Sequence, residues 1–192
     1  IDPAPQFVAA CRERVAGADV REGVAEQLPW EDDRFDAALS CLVIAFMRDP
    51  DAGIREMARV TRPGGTVAAC MWDLDQGGMT MLNLFWTAMR SVAPGSGERD
   101  RPGTAEGDIA DRLTRAGLAD VEGGALAVEA DYAGFDDFWD SFTHGVGPAG
   151  EALAALDPDR RELVRTGRFD FPHVRGSVAA PSRPEGASDT TR

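Results

Sequence analysis

At 192 residues, 43% of them apolar, the chain is long enough to bury the core of one domain and too apolar to be disordered throughout. A formal net charge of −13 at pH 7 excludes electrostatic capture of a nucleic-acid backbone or an anionic membrane, and leaves a small-molecule partner open. All 20 basic residues are Arg, which excludes a Schiff-base or P-loop lysine and reads as the composition bias of a GC-rich bacterial genome.

The first element is a helix following Asp2, with Phe7, Cys11 and Val15 repeating every four residues. A short strand is expected around residues 19–22, then the polar loop GVAEQLPWEDDRFD, whose Glu31–Asp33 run reads as a solvated turn. FDAALSCLVIAF is a continuous apolar run of strand length, the pattern of a strand covered on both faces. RDPDAGIREMARVTRPGG is the clearest helix. Asp49 caps it, Pro50 opens it, Ile54, Met57, Ala58 and Thr61 form one face, and Gly64-Gly65 end it. TVAACMW follows as a second buried strand.

Further on, Leu82, Phe85, Trp86 and Met89 mark a helix, and Ile109 and Leu113 mark another in TAEGDIADRLTRAGL. A strand interrupted by Gly123-Gly124 leads to a helix with the aromatic face Phe135, Phe138, Trp139 and Phe142, and Asp157-Pro158 starts a last short helix. Helices alternating with buried strands indicate an α/β fold with a parallel sheet. From about Gly167 the sequence turns Pro-, Ser- and Gly-rich, as in a disordered tail, and RFDFPHV, interrupted by Pro172, is its one candidate strand.

The 3 cysteines are Cys11, Cys41 and Cys70. They make no CxxC pair, predict no metal site or disulfide framework, and suit a reducing cytoplasm. The sequence has neither an apolar run long enough to span a membrane nor a signal-peptide pattern.

Three segments line up in order: IDPAPQFVAACRERV, an acid at a strand end leading into a helix; GVAEQLPWEDDRFDAALS, a loop and strand; and MARVTRPGGTVAACMW, a helix, a Pro-Gly-Gly turn and a strand. In this order and spacing they resemble the class I S-adenosylmethionine-dependent methyltransferases of the type 11 family. The resemblance covers roughly residues 1–132. It implies a Rossmann-like methyltransferase domain over 1–132, a helical lid over 133–166 and a non-family tail over 167–192. The implied activity is transfer of a methyl group from S-adenosyl-L-methionine to a small organic acceptor.

The resemblance also assigns cofactor contacts residue by residue. Asp2 ends the second sheet strand, where a carboxylate accepts both ribose hydroxyls; the same position serves nicotinamide cofactors, so Asp2 alone does not name the ligand. Val24 stands where the family carries an acid for the adenine amine, and Ala25 supplies the neighbouring backbone contact. An unpaired amine costs about 1–3 kcal/mol. Ser40 and Cys41 end the next strand, against the methionine part of the cofactor.

Methyl transfer asks mainly for alignment and exclusion of water, so no catalytic side chain is assigned. His144 and His173 are the sole histidines. The stripe Phe135, Phe138, Trp139 and Phe142 reads first as core and second as an apolar acceptor pocket. The family's Gly-rich first motif is absent from this sequence. On the resemblance, the first strand, first helix and most of the second strand are missing with it, which predicts an incomplete domain of impaired activity. The competing expectation is a non-enzymatic remnant or interaction module of the same ancestry. The acceptor and the oligomeric state are not legible.

Overall fold

The computed structural model describes residues 1–75, 77–98 and 100–167, and the backbone of Arg175–Ala179. Two compact units emerge. One comprises residues 1–71 and 106–124, and the other residues 72–105 and 125–179, within the described segments.

The first unit is built on two parallel strands, β1 (Phe35–Cys41) and β2 (Thr61–Cys70), joined by helix α2 (Pro50–Val60). Helix α1 (Pro5–Arg14) precedes them, and α4 (Asp108–Arg115) completes the unit. The start of α2 is as read from sequence, but its end is not: the helix stops at Val60, and Thr61 and Gly64-Gly65, expected on its face and at its end, lie within β2 because the chain turns extended at Thr61. Asp49 accepts a hydrogen bond from the Ala52 N–H at 2.9 Å, Pro50 occupies the first turn, and Ile54, Met57 and Val60 are buried. Ile44, Ile54 and Leu113 form the core, with Val67, Ala69 and Ile109 against it. Arg112 ties α4 to α2 through Asp51 at 2.8 Å, while bonding Asp108 of its own helix at 3.0 Å.

Between α2 and the regular part of β2 the register slips, from Phe35↔Thr61 to Ala37↔Thr66. Gly64 (φ 75°) takes the left-handed turn. At Gly65 a Cβ would lie 2.7 Å from the Asp36 carbonyl oxygen, so the second glycine of the Pro-Gly-Gly turn is required by close approach.

The structure corrects four further sequence expectations here. The apolar run through Phe46 is not one strand. β1 stops at Cys41, Leu42 adopts φ 61°, and Ile44–Phe46 coil into a 3-10 turn. Nor is β1 covered on both faces, since Leu39 is 76% exposed and the strand pairs with β2 alone among the described residues. On α1, Phe7, Cys11 and Val15 are exposed and Val8 is the buried residue. The short strand expected at 19–22 is reduced to a single parallel bridge, Asp2↔Glu22.

The second unit is mainly helical: α3 (Thr80–Val92), α5 (Phe135–Asp140), α6 (Gly147–Ala154) and α7 (Pro158–Thr166). Its core joins Phe85, Trp86 and Met89 of α3 to Phe138, Trp139, Phe142, Leu153 and Val164. Phe85 stacks on Phe142 with centroids 4.3 Å apart, and Phe138 meets Phe142 edge-on at 5.3 Å. Asp157 caps α7 through the Arg160 N–H at 2.9 Å. Helix α6 has no counterpart in the sequence reading; its Gly- and Ala-rich stretch lacks a broad apolar stripe.

The same unit holds an antiparallel pair, β3 (Ala125–Glu129) with β4 (Arg175–Ala179). A strand therefore lies inside the stretch expected to be pattern-free, beyond the RFDFPHV candidate, which falls wholly outside the described residues. The remainder of the expected tail, and His173, also lie outside them. No helix of the described residues is long and apolar enough to cross a membrane.

Candidate functional site

In an open parallel sheet, ligands bind beyond the carboxyl ends of the strands. Of the five predicted site residues, Asp2, Ser40 and Cys41 can be followed to such positions in the first unit, and Val24 and Ala25 lie on the loop between them. Asp2 precedes α1 and pairs by backbone with the segment before the loop. Its N–H donates to the Arg21 carbonyl at 3.2 Å, and its carbonyl accepts from the Gly23 N–H at 3.1 Å. The Asp2 carboxylate Oδ1 accepts the Ala4 N–H at 2.8 Å, which fixes the half-buried side chain at the entrance to the helix.

Val24 is 46% exposed at the head of the loop, and a turn bond from the Gln27 N–H closes on its carbonyl at 3.3 Å. Ala25 is half-buried beside α2: a Cβ built on Gly53 would lie 3.5 Å from the Ala25 Cβ and would collide with the Met47 sulfur. Gly53 thus makes room for the Met47 side chain. Ser40 and Cys41 end β1 opposite Ala69 and Cys70. Ser40 is buried, and among the described residues its Oγ has no hydrogen-bond partner. A buried hydroxyl left unpaired is costly.

A clamp of charged residues, not singled out by sequence reasoning, holds the loop on α2. Glu26 Oε1 accepts the Arg48 and Asp49 N–H groups at 2.7 and 3.3 Å. Burial works against its charge, but the backbone donors at Glu26, Asp49 and Arg48 outweigh it and hold the carboxyl below its ordinary range. Glu56 accepts the Leu28 N–H at 2.8 Å and pairs with Arg59 at 2.6 Å, and the Arg59 bond leads in lowering its pKa. Arg59 also donates to the Leu28 carbonyl at 3.1 Å, the Trp30 carbonyl at 2.8 Å and the Asp32 carboxylate at 2.8 Å. One guanidinium thereby satisfies two loop carbonyls and two carboxylates. The legible signal was the i, i+3 spacing of Glu56 and Arg59 on the polar side of α2; what sequence could not show was that the loop supplies the other partners.

Arg21 fixes the outer side of the loop. It pairs with Asp19 at 2.7 Å, donates to the Pro29 carbonyl at 2.8 Å and lies 5.1 Å from the Trp30 ring centroid. Trp30 is half-buried and meets Phe35 of β1 edge-on at 5.3 Å. Asp2 and the β1 end are therefore connected through the loop and α2. The donor set suits a nucleoside-type ligand: a carboxylate for vicinal hydroxyls, a loop backbone for a flat heterocycle, and an unpaired buried hydroxyl.

In the helical unit, Phe138, Trp139 and Phe142 are buried in the core, which supports the packing reading of the aromatic stripe. His144 is exposed and lies 3.3 Å from Asp140 of its own segment.

Comparison with known proteins places this geometry in a family. Residues 1–69 match the family model described as Methyltransferase domain, of the type 11 group. An uncharacterized protein of Mycobacterium tuberculosis is 31% identical over 139 residues, covering 71% of this chain and 49% of that protein. The chain thus spans about half the length of the curated relatives of this kind that it matches. The demethylmenaquinone methyltransferase of Mycolicibacterium gilvum is 42% identical over 57 residues, 30% of this chain and 25% of that enzyme. Among solved structures, a Bacillus halodurans protein assigned to the methyltransferases superposes with a TM-score of 0.57 at 17% identity, covering 93% of this chain and 78% of that one. That likeness shows the fold, a Rossmann-like methyltransferase fold.

Proposed function

Since the chain carries over residues 1–69 a class I S-adenosylmethionine-dependent methyltransferase domain of the type 11 family, we propose that it binds S-adenosyl-L-methionine and takes part in methyl transfer to a small organic acceptor. The observation that carries the reading is the orphaned Ser40 hydroxyl, buried at the carboxyl end of β1 in the same unit as the helix-entrance carboxylate of Asp2 and the clamped loop at Ala25. The named relative, a demethylmenaquinone methyltransferase, supports a small organic acceptor, and the acidic balance of the chain disfavours nucleic acid.

The cofactor supplies an activated methyl group, so the protein's task is to bind, orient and exclude water. Asp2 takes the ribose hydroxyls with the carboxylate capacity left after its bond to Ala4. The Ala25 backbone takes the adenine edge, and the Glu56–Arg59 clamp keeps that segment in place before the ligand arrives, lowering the ordering cost of binding. Ser40 and Cys41 face the amino-acid end. No side chain is assigned as a general base.

Isothermal titration of the soluble chain with S-adenosylhomocysteine tests this reading. One-to-one binding is expected, weakened about tenfold or more in Asp2→Ala by loss of charge-assisted bonds. Absence of heat from a folded sample would sink it. One observation favours a second reading, a module that keeps the fold without the cofactor: Val24, half exposed, offers the adenine amine no acceptor side chain. That reading predicts no binding, and no gain from Val24→Asp. The cofactor reading predicts tighter binding by that variant.

A further inference from the structure

Cys41 and Cys70 are the last residues of β1 and β2, and they lie directly opposite each other in the parallel register. The Cys70 thiol donates to the Cys41 sulfur at 3.6 Å. Neighbouring strands run about 4.8 Å apart, inside the Cα spacing of about 4.4–6.8 Å that a disulfide requires. Side-chain rotation alone can close the remaining gap between the sulfurs. The Leu42 N–H, bound to the Cys70 carbonyl at 2.9 Å, pins the two strand ends together. Cys41 is exposed to a reagent and Cys70 is half-buried behind it. No cluster of three or more metal-ligating side chains exists among the described residues, and two thiols fall short of the four ligands of a structural zinc site.

We propose that Cys41 and Cys70 form a reversible dithiol–disulfide site at the carboxyl end of the parallel strand pair, oxidised by a low-molecular-weight disulfide. The exposed Cys41 thiolate attacks one sulfur of the reagent, forming a mixed disulfide and expelling one small thiolate. Cys70 then loses its proton to solvent, and its thiolate attacks the Cys41 sulfur. The Cys41–Cys70 bond forms, the mixed disulfide breaks and the second small thiolate leaves. The reagent gains the two electrons that the protein sulfurs lose, and the two cysteine protons end on the released thiols. Burial, followed by the contact with Cys41, raises the pKa of the Cys70 thiol, which makes the second step faster as pH rises. The site stands independently of the cofactor reading, because its readout is thiol chemistry alone.

The test is titration of the reduced full chain with oxidised glutathione, followed by acid quench, alkylation and tryptic mass mapping. Arginines separate the three cysteines onto different peptides. The expected product is a Cys41–Cys70 cross-linked pair, exceeding any Cys11 cross-link by at least about tenfold in the native chain, as fixed proximity demands. In urea that preference is expected to vanish. In Cys70→Ser, the glutathione adduct is expected to persist on Cys41. A stable adduct on Cys41 of the wild-type chain with Cys70 still open to alkylation would overturn the proposal, as would Cys11 links of equal abundance in the native state.

Discussion

The helical core and the parallel strand pair use similar residues to opposite effect. In the helical unit the aromatic side chains of α3 and α5 find one another, and Phe85 and Phe138 are fully buried. In the sheet unit, Ile44 and, on α2, Ile54 are equally buried, yet Leu39 of β1 is 76% exposed. The difference is one of closure. Helices satisfy their own backbones and need only a stripe of partners, whereas a parallel strand needs a neighbour on each edge and a layer on each face. The sharpest way to break this contrast is at Phe138, whose ring contacts Phe142, Tyr132 and Phe135. Phe138→Ala is expected to cost about 3–5 kcal/mol by chemical denaturation followed through fluorescence of the core tryptophans. A loss below about 1 kcal/mol would mean the aromatic cluster is not tightly packed.

The second prediction concerns the loop clamp, where the sheet unit compensates for its thin packing with charge-assisted bonds. Glu56→Ala removes the acceptor of the Leu28 N–H and one partner of Arg59. Amide exchange at Leu28 is expected to accelerate about tenfold, the equivalent of one lost bond. Unchanged exchange would show that the Arg59 bonds to the loop carbonyls suffice. The same variant is expected to weaken S-adenosylhomocysteine, if the ordered loop is what the ligand meets.

A smaller effect distinguishes the units by pH. Glu98, in the helical unit, is buried, and burial raises its carboxyl pKa. Arg101 and the Trp86 indole oppose the shift without cancelling it. The Trp86 Nε1 lacks a hydrogen bond of good geometry even so, which leaves the carboxylate poorly compensated. The folded state therefore holds the Glu98 proton more tightly than the unfolded chain. This contribution to stability is complete below the ordinary glutamate value of 4.5 and is lost as pH rises through the higher folded value. Glu98→Gln, which resembles the protonated form, is expected to flatten that part of the stability profile. Identical profiles for the two proteins would refute the assignment.

Much of the architecture was legible where local rules act alone. The Asp49 cap, Pro50 and the apolar face of α2 specified that helix, and the Asp157 cap specified α7. The parallel pairing of β1 with β2 followed from alternating strands and helices. Signals that depend on distant partners were not legible. The run FDAALSCLVIAF is apolar enough for a longer strand, and only the backbone at Leu42 shows where it ends. The row Phe7, Cys11 and Val15 has helical spacing but no cover among the described residues, so periodicity identified the helix and misplaced its buried face. At the candidate site, Asp2, Ala25 and Ser40 were assigned by resemblance, while Glu26, Glu56 and Arg59 act through loop backbone groups that leave no sequence pattern.

The smallest expected effect tests the comparison from its other side. Ile54 and Leu39 are aliphatic residues of the same unit, on α2 and on β1. If closure rather than residue type sets the energetics, Leu39→Ala should change stability by no more than about 0.5 kcal/mol, because little apolar area returns to water. Ile54→Ala, which empties a fully buried site, is expected to cost about 2–5 kcal/mol in the same denaturation experiment. A large loss at Leu39 would mean that this face of β1 is covered in solution, and the picture of a strand closed on one side only would have to be abandoned.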